Sequence, residues 1–214
     1  MFRKLFGKDK TPARTLTSPT ELRVGDLITF KPRSTLPACL QGETLEVIKV
    51  CAYEYPGGFE PEFTLKSSAD RVVSLSLSED SGDIEMTFSV EIPRDTVFAL
   101  FGEDSFAELW GENFAEIATR LEAAPPELEG WLAPAYRQTE KMAQAYFYNR
   151  DMRSEVRTRY VGEDAEELRY HACNGGADDV FGLSAEIWEG GETDVYVSKS
   201  LPVTVIEEMW PNAS

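Results

Sequence analysis

A weak internal duplication constrains the fold of this chain more than any other feature of its sequence. Residues 44–102 are echoed by residues 153–210, and the offset between matched positions drifts only from 108 to 109. One inserted residue near Trp188, just before a Gly-Gly turn, accounts for the drift, because a β-rich repeat tolerates an insertion there. The matched pairs include Ala69/Ala177, Asp70/Asp178, Val72/Val180, Leu75/Leu183, Ser76/Ser184, Gly82/Gly191, Ser89/Ser198 and Pro93/Pro202. The pattern predicts two copies of one β-rich unit.

Both copies contain runs of β-branched, aromatic and alternating apolar residues separated by turn-forming residues. Alternation is clearest in residues 73–78 and 84–92, which predicts strands with one buried and one solvent-facing side, as in an antiparallel sheet. The predicted strands are 26–31, 44–53, 62–67, 72–78, 84–92, 143–148, 154–161, 168–173, 181–188 and 193–198. The fold class that follows is α+β, mainly β, with two tandem related antiparallel units that form small barrels or pair into one sandwich.

A helical connector is predicted between the two units. Ser105 is a suitable N-cap for a helix that reaches Leu121 and carries apolar residues at helical spacing. A shorter helical segment is predicted to begin at Pro93. The expected organisation is a basic flexible N-terminal tail (1–20), a first β-rich unit (21–102), the helical connector (103–142) and a second β-rich unit (143–214).

The charge of the chain is large and unevenly distributed. The formal net charge is −17, yet residues 1–14 carry +4, which leaves −21 on the other 200 residues. An acidic body argues against binding a nucleic-acid backbone. The N-terminal residues Phe2, Arg3, Lys4 and Phe6 combine basic and apolar groups, so they are candidates for peripheral contact with an anionic membrane surface, the alternative being a solvated tail.

The cysteine content and hydropathy indicate the expected compartment. Cys39, Cys51 and Cys173 are an odd set without C-x-x-C spacing, which favours free thiols in a reducing cytoplasm over a disulfide framework or a zinc ribbon. No stretch approaches the roughly 20 apolar residues of a membrane span, and the first residues lack the pattern of a signal peptide. We therefore expect a cytoplasmic protein, peripheral to the inner membrane if its tail binds lipid.

Two groups of residues invite a chemical interpretation. His171 and Cys173 lie two residues apart on a predicted strand and would share a face, either as an activated thiolate pair or, as we favour, as a structural histidine and a buried thiol. The acidic runs 79–83, 163–167 and 178–179 offer oxygen ligands for a divalent cation but match no EF-hand spacing, which favours a solvated acidic face. No catalytic residue, metal site or cofactor is predicted.

Aromatic residues with polar tips provide the remaining candidates for interaction. Tyr53 and Tyr55 in the first unit, and Tyr146 and Tyr148 in the second, either line a ligand groove or fill the β core. No phosphate-binding loop, nucleophile elbow or pair of catalytic carboxylates accompanies them. The sequence therefore leaves catalysis unsupported.

Three segments together resemble the YjfK-like family of bacterial proteins of unknown function. They are the opening MFRKLFG, the stretch LRVGD at 22–26, and the stretch from Ile92-Pro93 to Leu100-Phe101-Gly102. The resemblance implies no activity and no site residues. It does imply a genomic neighbourhood of phage-shock-like membrane-stress proteins and ATP-grasp ligases that resemble glutathionylspermidine synthetases.

Two functions of different classes follow from these observations. The first is a non-catalytic interaction or adaptor module whose acidic body binds a protein partner or a polycation and whose tail contacts the membrane. The second is an enzyme, or an accessory subunit of one, that acts on a cationic small molecule such as a polyamine. Attraction between an acidic body and a cation supports both and is screened by salt.

Overall fold

The protein folds mainly into antiparallel β-structure, as the sequence predicts. The computed structural model describes residues 14–80, 82–155 and 160–212. The strands are β1 (Leu27–Phe30), β2 (Thr44–Tyr55), β3 (Gly58–Ser67), β4 (Val72–Asp80), β5 (Asp83–Glu91), β6 (Glu116–Ala118), β7 (Ala135–Tyr148), β8 (Glu166–Gly175), β9 (Phe181–Trp188), β10 (Thr193–Pro202) and β11 (Ile206–Trp210). The helices are α1 (Arg94–Phe101) and α2 (Glu103–Ala107). The predicted strand 154–161 lies partly outside the described residues.

Eight of the strands close into one barrel. Their order is β2-β3-β4-β5-β10-β9-β8-β7, and closure comes from antiparallel pairing of β2 with β7, where Tyr53 lies opposite Phe147. Strand β5 is also antiparallel to its neighbour β10, with Ser89 opposite Ser198. Strands β1, β11 and β6 extend the sheet beyond the barrel. Both halves of the chain thus contribute to a single barrel, instead of the small barrels or the sandwich expected from the sequence.

The segment between β5 and β7 contains less helix than predicted. Helix α2 ends at Ala107, a 3-10 turn follows, and residues 116–118 form β6 against β7. Gly111 stands where the predicted helix would continue, and glycine is a poor residue for a helix interior. Ile117 reaches the core through strand pairing with Tyr136. The prediction of one helix from Ser105 to Leu121 is therefore wrong.

The main hydrophobic core lies on the face of the barrel strands that is turned away from the barrel axis. Leu75 and Phe88 on neighbouring strands belong to it, and the Phe30 ring of β1 meets the Phe88 ring edge-on with centroids 5.3 Å apart. Residues from α1, α2, the 3-10 turn after α2 and the loops after β1 and β6 complete the core from the other side: Leu36, Leu40, Val97, Leu100, Phe101, Phe106, Leu109 and Trp131. The opposite face of the same strands is left to line the inside of the barrel.

A bulge in β2 allows one strand to serve both regions. The register of β2 against β3 shifts between Val47 and Lys49. Val47 is fully buried in the main core, whereas Lys49, Cys51 and Tyr53 line the barrel interior. An extra residue at a bulge moves the following side chains to the other face of a strand. Strand β7 has comparable register shifts between Gln138 and Ala143.

Asp26 joins the two ends of the described chain. Its side chain is fully buried, accepts hydrogen bonds from the backbone N–H groups of Arg23 (2.7 Å) and Asn212 (2.8 Å), and forms an ion pair with Arg14. Hydrogen bonds to a buried charged group contribute more than neutral ones, because the carboxylate has lost its water. Asp26 therefore anchors β1 to the segment after β11.

We expect Asp26→Asn to lower the free energy of unfolding by about 2 kcal/mol, because it removes the charge that Arg14 and two N–H groups stabilise. Urea denaturation followed by circular dichroism measures the change. Asp70→Asn is the control, since Asp70 is exposed and forms a surface ion pair with Lys66 four residues earlier, so little change is expected. Equal effects of the two substitutions would contradict the anchoring role of Asp26.

Candidate functional site

The inside of the barrel contains two joined cavities, which together we call the lumen. The larger has a volume of about 700 Å³ and opens where β9 and β10 are connected, and the smaller has a volume of about 190 Å³ and lies deeper. Tyr53, Glu62, Ser89 and Tyr196 line both cavities, so the two spaces are continuous. An eight-stranded barrel has an interior wide enough for one small ligand when its side chains do not fill it.

Small side chains on alternate positions keep the lumen open. Ser74, Ser76 and Ser78 of β4 face it, while Val73, Leu75 and Leu77 between them enter the main core. The same alternation recurs on the neighbouring strands, where the lumen receives Ser89, Ser184 and Ser198. Period-two patterning therefore determines which side chains surround the lumen.

The lumen is strongly acidic. Its lining residues include seven carboxylates, which are Glu60, Glu62, Glu91, Glu166, Glu186, Glu192 and Asp194. Among the described lining residues, Lys49 is the one basic side chain. Carboxylates within low-dielectric walls concentrate negative potential, so the lumen attracts cations.

Two of these carboxylates, Glu62 and Glu186, interact across the lumen. Burial, together with the charge of Glu62, raises the pKa of Glu186 to about 8. Burial likewise raises the pKa of Glu62, although Cys51 and Ser76 oppose the shift by hydrogen bonding. The Tyr53 hydroxyl donates to Glu186 Oε2 at 3.1 Å. The pair consequently holds a proton near neutral pH, which a bound cation can replace.

Aromatic rings form one wall of the lumen. The Tyr53 and Phe147 ring centroids lie 5.2 Å apart, and those of Phe147 and Trp188 lie 5.6 Å apart in an edge-to-face arrangement. Trp188 is held in place because its Nε1–H donates to Asp194 Oδ2 at 2.8 Å. The Lys49 ammonium lies 5.2 Å from the centroid of the Phe147 ring. Rings beside carboxylates are a common environment for organic cations.

The structure separates the four tyrosines singled out from the sequence. Tyr53 and Tyr55 line the lumen. Tyr148 lies on the other face of β7 and donates to the buried Glu54 at 2.9 Å, and Tyr146 packs against Tyr160 on that same face. The predicted tail residues Phe2, Arg3, Lys4 and Phe6 lie outside the described residues.

Sequence reasoning missed the carboxylates and rings that complete the site. Glu62, Glu186, Trp188 and Tyr196 were not singled out, because each is separated in the chain from its partners in the lumen. Their signal is the alternation along each strand: Glu186 and Trp188 share a face of β9 with Ser184, Tyr196 shares a face of β10 with Ser198, and Glu62 precedes the core residue Phe63 on β3. That signal becomes useful only once the pairing that closes the barrel is known.

His171 and Cys173 share a face, as predicted, and that face is the core. Both side chains are buried, and His171 Nδ1 lies 3.0 Å from Gln138 Nε2. Burial lowers the pKa of His171 and raises the pKa of Cys173 to about 12, so the pair favours a neutral imidazole and a thiol. The imidazole packs edge-on against Trp110 at 4.6 Å. Their environment suits the structural role favoured from the sequence.

Two further properties concern the described part of the chain only. No group of three or more His, Cys, Asp or Glu side chains in residues 14–80, 82–155 and 160–212 is arranged to hold a metal ion. Across the same residues, none of the helices combines the length and the apolar character needed to cross a membrane.

No known protein family, characterised protein or solved structure is detectably similar to this chain. The resemblance to the YjfK-like family stays a prediction. The lumen itself is therefore the basis for a functional proposal.

Proposed function

We propose that the barrel binds a small organic cation, an ammonium-bearing molecule, in its lumen. The observation that carries the proposal is the Glu62–Glu186 pair, two carboxylates that face one lumen and have no ion-pair partner among the described residues. Carboxylates brought together in this way lose hydration and repel each other, and a cation between them relieves both costs. Tyr53, Ser76 and Ser89 add oxygen acceptors for ammonium N–H groups.

The lumen favours a small molecule over a protein partner as the primary ligand. Glu62 and Glu186 lie on the inward faces of β3 and β9, where a folded partner cannot reach them, whereas Glu91, Glu166 and Glu192 are exposed at the mouth. Of the two functions predicted from the sequence, the geometry supports the one that involves a cationic small molecule. The structure supplies groups that can bind such a molecule, so we propose binding and no reaction. A polyamine is one member of the class.

The sequence duplication gives this site a simple origin. At the matched positions, strands β3, β4 and β5 of the first copy correspond to β8, β9 and β10 of the second, and the matched serines Ser76/Ser184 and Ser89/Ser198 all face the lumen. Asp70 and Asp178, also matched, both occupy left-handed turn conformations with φ of 62° and 58°. In our proposal, each copy supplies three matched strands of the lumen wall, and β2 and β7 complete the barrel.

Isothermal titration calorimetry with n-butylammonium chloride at about 0.15 M salt tests the binding proposal. We expect the double variant Glu62→Gln/Glu186→Gln to bind at least tenfold more weakly, because its lumen keeps its shape but loses the paired charge. The matched control is Glu207→Gln/Glu208→Gln, which replaces the same number of carboxyl groups on exposed β11 residues.

Binding of one ammonium ion per chain that weakens only in the lumen variant supports the proposal. Equal weakening in both variants would show that net charge alone attracts the cation. Failure of the unaltered protein to bind butylammonium or its methylammonium and dimethylammonium analogues would overturn the proposal.

A further inference from the structure

We infer that Phe147, Trp188 and Tyr53 form a second cation subsite at the mouth of the lumen, which selects N-alkylated ammonium groups and which Lys49 occupies in the unliganded protein. This inference rests on the proposed function and names the chemical class of the cation that the mouth takes. It concerns groups distinct from the Glu62–Glu186 pair, except that the Tyr53 hydroxyl contacts that pair.

The three rings are arranged as adjoining walls. Phe147 meets Tyr53 at an interplanar angle of 54° and Trp188 at 85°, so the rings bound a corner instead of stacking in parallel. The Trp188 indole is fixed by its hydrogen bond to Asp194, which also places a carboxylate beside the corner. A corner of aromatic faces next to a carboxylate is suited to a cation that is too bulky for a single acceptor.

Lys49 places a cation at one wall of this corner. Its ammonium lies over the Phe147 ring at 5.2 Å and borders the larger cavity together with Glu62. Because Lys49 is solvent-exposed and its stem is flexible, its ammonium can leave the ring at small cost. The side chain therefore acts as a resident competitor that an incoming ammonium displaces.

The two subsites should accept different kinds of ammonium ion. A primary ammonium carries three N–H donors and is satisfied by the oxygens around Glu62 and Glu186. An alkylated ammonium carries few or no donors, and its methyl groups are better accommodated by aromatic faces. We therefore expect the mouth to distinguish tetramethylammonium from methylammonium.

The test measures dissociation constants of tetramethylammonium chloride and methylammonium chloride by calorimetry. We expect Phe147→Leu to weaken tetramethylammonium binding about tenfold and to change methylammonium binding less than twofold. Phe147→Tyr, which keeps a ring, should retain both affinities. Lys49→Met should strengthen tetramethylammonium binding several-fold, whereas Lys141→Met, which alters a cation–ring contact with Phe114 outside the lumen, should not.

The outcomes separate this inference from the proposed function. If methylammonium binds but Phe147→Leu weakens both ions equally or neither, the aromatic subsite is refuted and the carboxylate site stands. If tetramethylammonium binding depends on Phe147 but methylammonium does not bind, the proposed carboxylate site fails and the aromatic subsite stands. An unchanged tetramethylammonium affinity in Lys49→Met would refute the role of Lys49 as a competitor.

Discussion

Replacing Glu186 with glutamine is expected to stabilise the unliganded protein at pH 7 by on the order of 3 kcal/mol. The folded protein holds this carboxyl at a pKa of about 8, against 4.5 for an ordinary glutamate. Between these values the unfolded chain releases the proton and the folded chain retains it, so native stability falls as pH rises. Glutamine keeps the shape and an acceptor for the Tyr53 hydroxyl, and it removes the cost of the buried charge.

The pH dependence provides the sharper measurement. Urea denaturation of the parent protein and of Glu186→Gln should give similar free energies of unfolding near pH 4.5. The two should then separate progressively up to about pH 8 and differ by a constant amount at higher pH, once the pair has lost its shared proton. Glu207→Gln, on exposed β11, is the control and should follow the parent at every pH. Parallel curves for Glu186→Gln and the parent would show that the carboxyl is not held in its protonated form.

This gain in stability should coincide with a loss of cation binding. A carboxylate that destabilises the fold but binds the ligand illustrates the trade-off between stability and function. The same linkage predicts that ammonium ions bind more tightly as pH rises towards 8, because the cation replaces the proton held by the Glu62–Glu186 pair. Stability and affinity therefore respond to pH in opposite directions.

Much of the local structure could be predicted because it depends on short-range patterns. Alternation in residues 73–78 predicts β4, and the turn glycines Gly82 and Gly191 adopt the positive φ values, 90° and 84°, that their hairpins require. Short-range patterns did not reveal that the helix predicted to begin at Ser105 ends early. Its apolar spacing fits a helix, yet pairing with β7 draws residues 116–118 into a strand.

The lumen could not be predicted because two long-range pairings create it. The sequence shows that Ser74 and Ser76 share the polar face of β4, and an open sheet would place that face in water. Pairing of β2 with β7 and of β5 with β10 turns the polar face inward. The same pairing places Tyr53 opposite Phe147. Tyrosine content alone could not separate Tyr53 from Tyr148, since only strand register distinguishes the two faces.

Phe88 and Ser89 are neighbours on β5 whose replacement should have opposite consequences. Phe88 is fully buried in the main core against Phe30, so Phe88→Ala should lower the free energy of unfolding by about 4 kcal/mol. Ser89 lines both cavities of the lumen, so Ser89→Leu should fill the passage between them. We expect that variant to retain the parent's stability within about 1 kcal/mol, because the added methyl groups enter open space.

Binding measurements should also distinguish Phe88→Ala from Ser89→Leu. Ser89→Leu should lose butylammonium binding in calorimetry, because the leucine occupies the space beside Glu62. Phe88→Ala should keep its affinity at temperatures where it is folded, because its cavity opens on the other side of the strand. Undiminished binding by Ser89→Leu would place the ligand outside the lumen. The two faces of β5 would then have been assigned the wrong roles, because a larger side chain on the ligand-binding face must reduce binding.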